Sequence, residues 1–111
     1  MDYYHIWCNL KDSSKDMQFA TSLRTYLGFL QTKKLISEFR ITRRKLGLGP
    51  SELGEFHIVL EVEKLSQLEE AFQLAASRSG EVEQYHRAVF SAVTDFRSAL
   101  YRDFPDSVRV S

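Results

Sequence analysis

The chain has 111 residues, 43% of them hydrophobic, and its 15 basic and 15 acidic side chains cancel at neutral pH. This length and composition indicate one globular domain. The zero net charge argues against nucleic acid or an anionic membrane as a partner. A single cysteine, Cys8, excludes a disulfide framework. The single cysteine, N-terminal residues unlike a signal peptide, and the lack of an apolar run of about 20 residues together predict a cytoplasmic protein.

Alternation of side chains predicts strands over residues 3–10, 38–45 and 55–63, the last being the clearest. Apolar residues at helical spacing predict a helix that ends near residue 34 and a second helical region over 65–93, interrupted at 77–80. Ser13 with Asp16, and Ser66 with Glu69, have the spacing of helix N-terminal caps. Residues 94–104 fit a helix or a strand, and we favour a strand because it completes the sheet.

This order of elements predicts one α+β domain over residues 1–111, a ferredoxin-like βαββαβ fold with a split second helix and a four-stranded antiparallel sheet. Right-handed crossovers place the third strand between the first and second. One face of the sheet is apolar and is expected to lie under the helices. The opposite face, called the open face below, mixes aromatic and charged side chains: Tyr3, His5, Trp7, Arg40, Thr42, Arg44, His57, Val59, Glu61 and Tyr101.

The order of elements, the helix around Tyr85-His86-Arg87 that leads into a last strand, and the closing run Ala-Leu-Tyr-Arg-Asp-Phe-Pro-Asp at residues 99–106 resemble the dimeric α+β barrel superfamily. That superfamily includes small antibiotic-biosynthesis-type monooxygenases and stress-responsive barrel proteins. The resemblance implies a homodimer whose sheets pack open face to open face around a partly polar interior. It transfers no catalytic residue position by position.

The open face carries the candidate site residues. His5, His57 and Glu61 are the catalytic candidates, with a histidine that moves a proton and a carboxylate that sets its tautomer. The ligand-binding candidates are Tyr3, Trp7, Arg40, Thr42 and Tyr101. The alternative is a hydrogen-bonded polar layer at a dimer interface, with Arg40 and Glu61 as an ion pair and Trp7 as an anchor.

No metal or cofactor is predicted, since two histidines and Glu61 imitate an iron site only loosely. Cys8 is expected to be an inert core residue, His86 a boundary histidine, and Arg43-Arg44-Lys45 either solvated or a contact for an anion at the barrel rim. The favoured function is a homodimer that binds a small molecule in a polar and aromatic cavity on the open face. The alternatives are a cofactor-poor monooxygenase-like or proton-transfer enzyme, and a non-catalytic dimeric interaction module. An RNA-binding sheet lacks the expected basic and aromatic strand motif.

Overall fold

The computed structural model describes residues 1–78 and 80–105. The elements in chain order are β1 (Asp2–Leu10), a short 3-10 helix (Ser13–Lys15), α1 (Asp16–Thr32), β2 (Glu38–Arg43), β3 (Phe56–Val62), α2 (Leu65–Ala76), α3 (Gly80–Phe90) and β4 (Val93–Arg102). All strand pairs are antiparallel, in the order β2-β3-β1-β4.

The predicted α+β fold and the place of the third strand are confirmed. Residues 94–104 belong mostly to a strand, so the preceding helix ends at Phe90, earlier than the pattern predicts. The sequence also predicts a loose tail at residues 108–111, which lie outside the described residues.

Within the described residues, no helix has the length and apolar character needed to cross a membrane.

The core lies between the sheet and the three helices. Every second residue of β3 is buried, and the predicted stripe of α1 is buried along its whole length. Each fully buried aliphatic or aromatic side chain contributes about 1.5–3 kcal/mol to folding. The buried residues of these two elements are Phe56, Ile58, Leu60 and Val62 on β3, and Phe19, Leu23, Tyr26, Leu27 and Leu30 on α1.

The predicted cap of the first helix is wrong. Asp12, one residue before Ser13, caps the short helix, and its Oδ1 accepts hydrogen bonds from the backbone N–H and the hydroxyl of Ser14. The Asp16 carboxylate instead accepts the N–H of Met17. The Asp12 carboxylate lies two residues before the Ser14 amide and closes a local turn. This turn forms in place of the cap predicted from the three-residue spacing of Ser13 and Asp16.

The second predicted cap is also wrong. The Gln67 Oε1 accepts the backbone N–H groups of Glu63 and Lys64, at 2.8 and 3.0 Å, so α2 begins at Leu65, ahead of Ser66. The buried side of α2 carries Leu68 and Ala71. The helical spacing of the sequence also predicts Leu65 and Phe72 on the buried side, but they are 53% and 49% exposed.

The glycine-rich loop between β2 and β3 is held by the basic run that precedes it. The Arg44 guanidinium donates to the carbonyls of Pro50 and Leu53. Arg43 forms ion pairs with Glu55 and Asp16. Arg43 and Arg44 therefore contact acceptors of the chain itself, although the Arg43 side chain is 49% exposed.

Gly54 lets this loop reach the first strand. A Cβ atom there would lie 2.6 Å from the backbone nitrogen of Cys8, closer than side chains tolerate. The Asn9 side chain accepts the N–H of Glu55 at 2.8 Å beside this contact. Together they fix the register of β1 against β3, on which the open face depends.

Candidate functional site

The register of β1, at the centre of the open face, decides which side chains meet. His5 lies between Val59 of β3 and Ala99 of β4, and Trp7 lies between His57 and Arg97. His57 is therefore the diagonal neighbour of His5, within reach of a ring across an antiparallel pair.

The two histidines are joined by a hydrogen bond of 2.9 Å between His5 Nδ1 and His57 Nε2. The Trp7 ring is parallel to His57, with centroids 4.8 Å apart and an interplanar angle of 1°. The Tyr101 ring meets His5 edge-on at 4.9 Å. These four residues, His5, Trp7, His57 and Tyr101, form one open-face cluster, as their shared sheet face predicts.

Desolvation lowers the pKa of both histidines in the cluster. For His5 burial is the cause, and for His57 burial is followed by the charge of His5. Since an ordinary histidine pKa is 6.5, both rings are mostly neutral at pH 7, and each ring then has one N–H and one lone pair. The pair can thus accept a proton, donate one, or bind a polar group.

Other predicted site residues lie outside this cluster. The Tyr3 hydroxyl donates to Asp103 Oδ1 at 2.7 Å, at the end of the sheet. The Thr42 hydroxyl donates to the backbone carbonyl of His57 at 3.1 Å. Both polar groups are occupied by the protein's own contacts, which leaves them less available to a ligand.

Arg40 and Glu61 share the open face but are not directly opposite each other in the register. Arg40 lies opposite Val59, and Glu61 lies opposite Glu38 on one side and Tyr3 on the other. The ion pairs among the described residues do not include Arg40 with Glu61. The same part of the chain places no three His, Cys, Asp or Glu side chains close enough to share a metal ion.

A second site lies on the other side of the sheet, in a cavity of about 100 Å³ under α2 and α3. Its walls are aliphatic and aromatic, and its mouth includes Phe72 and Phe96, which are 49% and 44% exposed. Besides the Cys8 thiol, the polar groups in its lining belong to Tyr4, Tyr26 and His86.

Tyr26 is 7% exposed, and burial raises the pKa of its hydroxyl to about 12. Within residues 1–78 and 80–105, no protein group is hydrogen-bonded to that hydroxyl. Leaving a buried polar group unsatisfied costs about 1–3 kcal/mol, so such groups are rare without a function or a bound molecule.

His86 lies beside Tyr26 in the same lining. Its ring stacks on Phe90 with centroids 4.2 Å apart, and the Tyr26 ring meets it edge-on at 5.9 Å. Burial is the main cause that lowers the pKa of His86, against the opposing charge of Glu83. Tyr26 and His86 therefore line one largely apolar cavity, which is called the helix-side cavity below.

The sequence profile of DUF6614, a family of unknown function, matches residues 1–111. The chain belongs to this family. No curated protein matches the chain in sequence.

Solved structures show what the chain is similar to in fold. A mutant of SnoaB, a cofactor-independent oxygenase from Streptomyces nogalater, has a TM-score of 0.69 and 7% identity, covering 95% of this chain and 97% of its own. At3g17210 from Arabidopsis thaliana has a TM-score of 0.72 and 10% identity, covering 96% and 99%. A dimeric ferredoxin-like protein of unknown function from Jannaschia sp. CCS1 has a TM-score of 0.67 and 10% identity, covering 92% and 98%. The predicted ferredoxin-like fold is thereby confirmed.

The sequence indicates the open-face cluster but misses the helix-side cavity. His86 is interpreted from the sequence as a boundary histidine, and Tyr26 as one member of the apolar stripe of the first helix. Two signals point to the cavity: a phenol within a buried stripe, and Phe90 four residues after His86, which puts two rings on one helix face. Neither signal shows that α1 and α3 bring Tyr26 and His86 together.

Proposed function

We propose that the protein is a homodimer whose two open faces pack against each other. The open face carries stacked aromatic rings and Val59 at its centre, and no helix in the described residues covers it. An aromatic surface of this kind favours burial against a partner. A second copy is the simplest partner because the Jannaschia protein of the same fold is described as dimeric.

Light scattering over a dilution series tests the dimer. Val59→Glu puts a charge in the middle of the open face and is expected to yield monomers. Leu65→Glu, an exposed position on α2, is the matched control and should remain dimeric. A monomeric wild-type protein at all concentrations, or a dimeric Val59→Glu variant, would remove this part of the proposal.

We further propose that each protomer binds a small, largely apolar molecule in the helix-side cavity. The observation that carries this is buried Tyr26, which lines an apolar space and whose hydroxyl lacks a protein partner in the described residues. A ligand with one carbonyl or hydroxyl group would satisfy this hydroxyl and bury its apolar part against the walls. Ligand pockets commonly combine these two features.

The size of the cavity sets the class of ligand. Its volume of about 100 Å³ is below the roughly 150 Å³ of an engineered cavity that binds benzene. The half-exposed rings of Phe72 and Phe96 at the mouth can rotate to enlarge it. The expected ligand is therefore about the size of a single-ring compound, such as a phenol or a small aryl ketone.

Phenol and toluene are suitable probes, with binding followed by amide chemical shifts. Ala75→Met fills the cavity lining, and Ala76→Met, on the next residue of the same helix but outside that lining, is the matched control. Phenol should bind the wild type and Ala76→Met, but not Ala75→Met. Equal binding by the two variants would contradict the location.

The open-face site predicted from the sequence stays a competing location for the ligand. His57→Gln removes one imidazole of the cluster without touching the helix-side cavity. Phenol binding that is lost in His57→Gln and kept in Ala75→Met would move the ligand to the open face. Binding of neither probe by the wild type would favour the non-catalytic interaction module.

Proton transfer is a second candidate function, because a neutral imidazole, His86, borders the cavity beside a hydroxyl. SnoaB, which has a similar fold, is a cofactor-independent oxygenase, and this supports catalysis without a bound cofactor. Exchange of the methyl protons of acetophenone in D₂O would be measured by NMR. Acceleration by the wild type, lost in His86→Gln, would support the enzyme, and an unaccelerated rate would remove it.

A further inference from the structure

The hydrogen bond between the two open-face histidines limits how many protons the pair can hold. One inner nitrogen, His5 Nδ1 or His57 Nε2, carries the hydrogen and the other accepts it across 2.9 Å. A first added proton can bind an outer nitrogen and leave this hydrogen bond in place. A second proton must take the accepting lone pair, which breaks the hydrogen bond and puts two cations in contact.

The neighbouring groups do little to offset such a charge. His5 faces Val59 and Ala99 across the sheet, with Tyr101 edge-on to its ring. His57 faces Trp7 and, on β2, Thr42. Arg97 and Arg40 are cations on this face.

The negative charge on the open face lies at one end of the sheet. Glu61 is opposite Tyr3 and Glu38, and the His5 row is opposite Val59, one pleat nearer the centre. Neither histidine is hydrogen-bonded or ion-paired to a carboxylate within residues 1–78 and 80–105. A doubly protonated pair is therefore bordered by apolar rings and further cations, and Glu61, diagonal to His5 across the sheet, is not bonded to either ring.

We propose that the His5–His57 pair makes association of the two open faces depend on pH, so that the dimer forms while the pair holds at most one extra proton and separates when both imidazoles are charged. This inference rests on the proposed homodimer. Packing a second sheet over the pair removes the remaining water, so the dimer disfavours the charged pair more than the monomer does. Proton uptake and dissociation are then linked.

The test is sedimentation velocity of the full chain at pH 7.5, 6.5 and 5.5, with far-UV circular dichroism at each pH. The dissociation constant of the dimer should rise at least about tenfold from pH 7.5 to 5.5, because each proton taken up changes an equilibrium constant by up to tenfold per pH unit.

His57→Gln keeps an N–H near the Nε2 position and cannot be charged, so the dissociation constant of this variant should hardly change with pH. His5→Asn is the second variant, with its amide near the Nδ1 position. His86→Gln, on the other side of the sheet, should keep the wild-type response.

The outcomes separate this inference from the proposed dimer. A wild type that is monomeric at pH 7.5 would refute the dimer itself. A dimer with the same dissociation constant at all three pH values would refute only the pH control. The proposed pH control is also refuted if His57→Gln and His5→Asn both keep the wild-type pH response, or if both variants are monomeric at pH 7.5. Unfolding before dissociation, seen by circular dichroism, would refute it as well.

Discussion

Replacing Tyr26 by phenylalanine is expected to stabilise the protein, although tyrosine-to-phenylalanine changes in a core usually weaken it. The usual loss comes from a broken hydrogen bond, worth about 1 kcal/mol. Here the hydroxyl has no bonding partner among the described residues, and the ring is 7% exposed. The substitution removes the polar atom and keeps the ring that packs against His86.

The magnitude follows from the cost of burying an unsatisfied hydroxyl, about 1–3 kcal/mol. The residual exposure and the adjacent cavity, which is large enough for water, reduce that cost. We expect the free energy of unfolding to rise by about 1 kcal/mol, which corresponds to roughly 4 °C in Tm for a domain of this size.

Urea unfolding of the ligand-free protein measures the change, with Tyr85→Phe as the matched control. The Tyr85 hydroxyl donates to Glu81 at 3.0 Å on the surface of α3. This control should lose up to about 0.5 kcal/mol. Tyr26→Phe should also weaken binding of phenol more than binding of toluene. A loss of about 1 kcal/mol in Tyr26→Phe would mean that its hydroxyl is already satisfied, and would refute the reasoning behind the ligand.

Four further predictions concern the frame around the sites and the charge of the histidines. Gly54→Ala should lower the free energy of unfolding by about 2–3 kcal/mol because its Cβ meets the backbone of Cys8. Gly28→Ala, with open space around it, should raise the same quantity by about 0.5–1 kcal/mol in urea unfolding. Arg44→Ala should lower the free energy of unfolding by about 2 kcal/mol in the same assay, because it loses the hydrogen bonds to the loop carbonyls. Arg40→Ala should change it by no more than about 0.5 kcal/mol. Equal effects of the two substitutions would contradict the anchoring role of Arg44. Finally, the pKa of all three histidines is lowered in the fold, so the unfolded chain binds more protons than the folded chain. The Tm should therefore fall as the pH drops below about 6.5 toward the lowered pKa values. A Tm that rises over this range would contradict the direction of the pKa shifts.

Some of the fold could be predicted because its patterns are local and repeated. The alternation of residues 55–63 has one apolar face, and the register that buries that face is the one observed for Phe56–Val62. Because Tyr3, His5 and Trp7 alternate on β1 with apolar residues that pack against the core, their common face could be predicted as well. The cap positions could not, because Asp12 and Gln67 make the capping hydrogen bonds in place of equally plausible residues one or two positions away.

The sequence by itself determined the order of strands and helices, which side of each strand is apolar, and that two histidines share the open face. The periods of 2 and 3.6 residues encode these properties within a single element. Only the tertiary structure decided that His57 Nε2 meets His5 Nδ1, that Glu61 lies across from Tyr3, and that Tyr26 and His86 border one cavity. The physical reason is that register and helix packing depend on contacts between distant segments, such as Gly54 against Cys8, which no local period records.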